Sequence, residues 1–228
     1  MITRKAILLK YTKNDLEDYR TDLDFGLVKA FLKSAAGGCF KDNEIVEFIT
    51  NDIEGDVILR EIDQVHYSFV YFTGQAHFID RATWIPLKND VPLRVSDLQR
   101  KNKKQWFFFD CSRVNSERIQ SPEFSFERNS IHFPASNELA QQYWMQDLAS
   151  LPNDVCITYY TAEMGKHAYV NEQGGYGTQI FFSTLSEMIK SKALVKIEEL
   201  VTILNFKEVV NQKAVLFTNQ KDIIIFRN

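Results

Sequence analysis

The sequence predicts an α/β fold, an α/β/α sandwich built on a mostly parallel central sheet of about six strands. Three observations predict it. Short, nearly continuous apolar runs recur at Ala6–Tyr11 (AILLKY), Val65–Thr73 (VHYSFVYFT), Gln105–Phe109 (QWFFF) and Val155–Thr161 (VCITYYT), the pattern of strands covered on both faces. Between them lie segments with apolar residues three and four apart, as in amphipathic helices. Neither an internal repeat nor a Gly/Ser/Pro-rich linker interrupts the 228 residues, so a single domain over residues 1–228 is expected.

Taken in order, Ala6–Tyr11 opens the sheet, and Asp22–Ser34 follows as a helix with Leu23, Leu27, Ala30 and Phe31 at helical spacing, stopped at Gly37-Gly38. Glu44–Thr50 alternates as a strand, Asp56–Asp63 is a short helix, and Val65–Thr73 is a strong strand ending at Gly74. Arg81–Leu87 reads as an offshoot hairpin. Ser96 is placed to cap a short helix reaching about Lys103. After Gln105–Phe109, residues Asn115–Pro134 form a polar connection expected to hold a small hairpin at Phe124–Phe133. Asn137–Ser150 is helical, Val155–Thr161 is a core strand, Gly165–Gly177 is a loop, and Thr178–Ser191 and Leu194–Leu204 are helices. Ala214–Thr218 and Ile223–Phe226 close the chain as strands.

Composition narrows the function classes. A formal charge of -3 and a pI near 5.9 supply no global field for nucleic acid or anionic membrane. The densest basic run, Arg100–Lys104, is assigned to a helix end, where cations complement the macrodipole. Three scattered cysteines, Cys39, Cys111 and Cys156, fit neither a disulfide framework nor a zinc cluster. With no signal-like segment or membrane span, a cytoplasmic protein is expected. His66, His132 and His167 lack metal-ligand spacing, and Trp84, Trp106 and Trp144 fall in core patterns, so no metal or cofactor is expected. Gly174-Gly175-Tyr176-Gly177 lacks the lysine and the glycine spacing of nucleotide-binding loops.

In parallel sheets, chemistry gathers just past the carboxyl ends of strands. Two such ends are Tyr71-Phe72-Thr73-Gly74-Gln75-Ala76 and Phe107-Phe108-Phe109-Asp110-Cys111-Ser112-Arg113. Their order and spacing, with the Gly174–Gly177 turn ahead of a helix, resemble a bacterial caspase-like (metacaspase-related, peptidase C14) domain over nearly the whole chain. In that family the first strand ends in Ser-Gly-His-Gly and the second in Asp-x-Cys-Arg or Asp-x-Cys-His. The resemblance implies a catalytic histidine at the position of Gln75, a cysteine nucleophile at that of Ser112, and an oxyanion hole from the amides of Ala76 and Ser112. Val114 replaces the glycine of the family's signature.

Gln75 has no titratable group, and a serine hydroxyl needs a positioned base, so the pair is expected to be able to bind a carbonyl without cleaving the peptide. The expected function is therefore a pseudoprotease: a module that binds a peptide or protein, possible partners including an active caspase-like protease, and that is not an enzyme. Two alternatives stay open. One is an active cysteine endopeptidase using Cys111 and His77, although alternation along a strand turns Cys111 away from Ser112. The other is an inactivated Cys-to-Ser variant at Ser112, which leaves Gln75 unexplained. A third reading is an assembly subunit or homo-oligomer that pairs through the strand near Ile223–Phe226.

Overall fold

The computed structural model describes residues 2–114, 119–120, 131–192, 194–206 and 212–227. Its centre is a six-stranded sheet made of β1 (Arg4–Lys10), β2 (Ile45–Ile49), β3 (Tyr67–Thr73), β4 (Lys104–Asp110), β5 (Cys156–Tyr160) and β6 (Val215–Thr218). The spatial order is β6-β5-β4-β3-β1-β2. All neighbours are parallel except β6, which runs antiparallel to β5. The mostly parallel α/β sandwich expected from the apolar runs is the one observed.

The sheet divides two apolar layers by simple alternation. Leu8, Phe69, Tyr71, Trp106, Phe108 and Tyr159 face α1 (Asp15–Lys33), α4 (Tyr176–Ser191) and α5 (Ile197–Phe206). Phe108 has Tyr71, Tyr159, Phe181 and Phe182 around it at 5.3, 4.8, 4.8 and 5.8 Å between ring centroids. Such pairs add about 0.5–1.5 kcal/mol each beyond the area they bury. Ile7, Val70, Phe72, Phe107 and Phe109 face the other way, onto α2 (Gly55–Asp63) and a small sheet of His77–Ile79, Ala82–Ile85 and Leu93–Arg94. The hairpin turn at Asp80 and Arg81 has φ of 49° and 60°, the left-handed pair that a two-residue connection needs.

Several boundaries depart from the expected ones. Helix α1 begins at Asp15, seven residues early, because Asn14 caps it by accepting the Glu17 N–H at 3.0 Å. The helix expected from Ser96 to Lys103 is only a 3-10 turn at Val95–Leu98, without a side-chain cap. Gln105 prevents its continuation: the side-chain Oε1 accepts the Arg100 N–H and Nε2 donates to the Leu98 carbonyl at 3.0 Å, while Asn102 turns left-handed at φ 60°. The segment expected as one helix from Leu194 is a strand, Leu194–Lys196, followed by α5. That strand pairs antiparallel with Ile224–Arg227, so the terminal strand is engaged within the chain. The Gly165–Gly177 loop contains a hairpin of Tyr169–Asn171 and Gly174–Gly175. The hairpin expected at Phe124–Phe133 falls largely outside the described residues.

The basic run ends no helix of its own, yet two of its lysines serve two others. Lys103 Nζ donates to the Asp63 and Val65 carbonyls, at 2.9 and 2.6 Å, at the end of α2. Lys104 Nζ donates to the Leu148 and Ala149 carbonyls at the end of α3 (Glu138–Ser150). Burial lowers the Lys104 pKa from the usual lysine value. Lys10 behaves oppositely. Burial lowers its pKa, but hydrogen bonds to Asp18 and Asp22, at 2.7 and 2.6 Å, outweigh this and raise it. A raised folded-state pKa gives stability that is complete below the unfolded value of 10.5 and is lost as pH climbs through the folded value. The stability difference between wild type and Lys10→Met should therefore shrink above about pH 10.5 in urea melts.

Candidate functional site

The register brings Lys10, Thr73 and Asp110 side by side at the carboxyl ends of β1, β3 and β4, with Tyr160 closing β5. Beyond β3 the chain turns at Gly74, whose φ is 130°, and a Cβ there would lie 2.5 Å from the Tyr11 carbonyl oxygen. Only glycine allows the ends of β1 and β3 to approach this closely.

Two buried aspartates organise this edge. Asp110 has no exposed surface; its Oδ1 accepts from Thr161 Oγ1 at 2.8 Å, and its Oδ2 accepts from the Thr178 N–H at 2.9 Å and Thr178 Oγ1 at 2.7 Å. Asp24, also fully buried, accepts from Thr73 Oγ1 at 2.8 Å and from the Gly175 N–H at 2.8 and 3.1 Å. Gly175 caps α4 and Thr178 lies in its first turn, so two carboxylates meet the positive end of that helix. Thr178 has one hydroxyl proton, given to Asp110, so the 2.7 Å contact with Tyr71 is a donation from the phenol. Burial, with Asp24 and Asp110 nearby, pushes the Tyr71 pKa far up and keeps that proton in place. Asn171 and Gln179 form a reciprocal buried amide pair under the hairpin, at 2.9 and 3.3 Å.

The residues singled out in the sequence separate around this framework. Gln75 is half-buried, and its Oε1 is buried without a hydrogen-bond partner. Ser112 is fully buried, and its Oγ accepts the Ala168 N–H at 3.0 Å. A strap formed by Ala162–Ala168 is tied down further by Arg113 N–H to the Lys166 carbonyl at 2.9 Å and Gly165 N–H to the Arg113 carbonyl at 3.0 Å. Cys111 points the opposite way from Ser112, into the apolar layer with Phe107, Phe109 and Ala76, and is fully buried. His77 is half-buried at the start of the surface hairpin, opposite Trp84. Ala76 is 1% exposed in the same layer as Cys111. No group of three potential metal ligands forms among the described residues.

The aspartate framework was the feature that sequence reasoning missed. Asp24 gave one signal: it shares the buried stripe of α1 with Thr21, Phe25 and Val28, where a charge is out of place unless something meets it.

No protein-family model and no curated protein matches the sequence. Solved structures do match by shape. Caspase-1 from Spodoptera frugiperda is similar over 96% of this chain and 86% of its own, with a TM-score of 0.56 and 14% identity. The protein GSU0716 from Geobacter sulfurreducens is similar over 95% of this chain and 93% of its own, with a TM-score of 0.57 and 12% identity. Among the described residues no helix is long and apolar enough to cross a membrane. Together, the sheet order, the helical layers and these likenesses establish that the chain has the caspase-like fold.

Proposed function

We propose that this domain binds a peptide or protein segment at the carboxyl edge of its sheet and does not hydrolyse it. The observation that carries the reading is the state of the nucleophile position: Ser112 Oγ is sealed from solvent and engaged by a backbone amide, with an untitratable glutamine at the histidine position. The shifted pair is disfavoured by the burial of Cys111, since a thiol that attacks a peptide needs access and a stabilised thiolate.

Binding is supported by unspent polar groups at the same edge. Thr73 and Gly175 share Asp24, and Gln75 lies two residues after the first of them and Gln173 two before the second. Gln75 Oε1 and Gln173 Oε1 are buried acceptors without partners, and Arg20 Nε is a buried donor without one. Buried polar atoms are rarely left unpaired, and the amides and carbonyls of an extended segment complement this set.

The test is a library of capped, uncharged peptides assayed for both cleavage and binding. No cleavage is expected, while Gln75→Ala should weaken binding about tenfold, the value of roughly one lost buried hydrogen bond. Cleavage abolished by Ser112→Ala or Cys111→Ala would overturn the reading.

A further inference from the structure

A second site emerges from the buried cations. Arg4, 4% exposed, lies 4.3 Å over the Phe40 ring, and its guanidinium makes four hydrogen bonds: two to the Glu44 carboxylate, at 3.1 and 3.0 Å, and one each to the Gly38 and Cys39 carbonyls. Lys10 and Lys104 are likewise buried and bonded. Arg113 repeats the first half of the Arg4 arrangement without the second. It is 5% exposed and 4.0 Å over the Tyr160 ring, yet its Nε finds no acceptor, and among the described residues no carboxylate pairs with it. A buried charge without a partner costs several kcal/mol, a cost that an arriving anion removes.

We propose that Arg113 and Tyr160 form a receptor for a carboxylate carried by a protein partner. The aromatic ring takes one face of the guanidinium, and the N–H fork in its plane is left for bidentate pairing. This site is distinct from the Gln75 edge, because Arg113 follows the parity of Cys111 and its Tyr160 shelf belongs to the layer facing α2. The strap bonded to the Arg113 backbone borders it, with Met164, Gly165 and Lys166 exposed. An acidic side chain and a chain's terminal carboxylate share the required chemistry.

The experiment uses the full chain and three peptide libraries of equal length: one amide-capped with a central aspartate, one neutral with a free C-terminal carboxylate, and one neutral and amide-capped. At least one charged library should bind wild type about tenfold or more tightly than the neutral control, and which one does so identifies the source of the carboxylate. Arg113→Met should lose that advantage and melt no lower than wild type when unliganded, since it removes an uncompensated charge. Arg113→Lys, which keeps the charge but not the fork, should lose most of it. Equal binding of all three libraries, an advantage that survives Arg113→Met, or an unliganded Arg113→Met that melts lower because the cation is purely structural would each overturn the proposal. Neutral-peptide binding that depends on Gln75 would still support the edge site in those cases, so the two readings fail separately.

Discussion

Asp110→Ala is expected to destabilise the protein by roughly 3–5 kcal/mol, a large part of the total for a domain of ordinary stability. Three donors converge on this carboxylate: the Thr161 hydroxyl, the Thr178 hydroxyl and the Thr178 N–H. All lie in the interior, where water cannot replace a lost acceptor, and the bonds are charge-assisted. The loss would also withdraw negative charge from the start of α4 and disturb Tyr71, whose phenol donates to the same threonine. Asp110→Asn keeps the shape and one acceptor, so its cost should be about half. Urea denaturation should show a lower midpoint with an unchanged slope for both variants. Hydrogen exchange should accelerate first in the opening turn of α4; uniform loss of protection across the sheet would contradict the local anchoring role.

The second large effect is expected at Gly174. Its φ is 111°, and a Cβ there would lie 2.2 Å from Asp24 Oδ1 and 3.0 Å from the Arg20 carbonyl oxygen. Gly174→Ala therefore adds backbone strain and pushes Asp24 off the Gly175 N–H, for a combined loss of roughly 3–5 kcal/mol. The prediction has a built-in check. Asp24→Ala removes the obstructed carboxylate, so the double variant should be more stable than the sum of the single losses by about 1 kcal/mol or more. Strict additivity in thermal or urea melts would mean that the two residues do not meet as described.

The sheet was legible because its strands carry their signal locally. Runs such as Gln105–Phe109 and Val65–Thr73 are too apolar and too short to be anything but buried strands, and period-two alternation correctly set Cys111 and Ser112 on opposite faces. What could not be read depends on distant partners. The burial of Ser112 comes from Ala168, 56 residues away, and the role of Asp24 comes from Gly175, 151 residues away. The first turns of α1 were missed because Asp15–Thr21 is rich in charge; the Asn14 cap and the Lys10 bonds to Asp18 and Asp22 support them in place of an apolar stripe. Conversely, the segment after Ser96 looked helical by its composition, and Gln105 competes for the very backbone groups such a helix would need.

The two lysines that close α2 and α3 are adjacent in sequence, and the helices they close lie on opposite faces of the sheet. A slip of β4 by one residue would put one lysine where the other had been, leaving one helix end open and carrying the displaced ammonium out of reach of its own helix. For a strand whose middle is three consecutive phenylalanines, which fit either face almost equally well, this dipeptide acts as an indexing pin. It rejects the shifted alignment by charge where the rings alone would tolerate it.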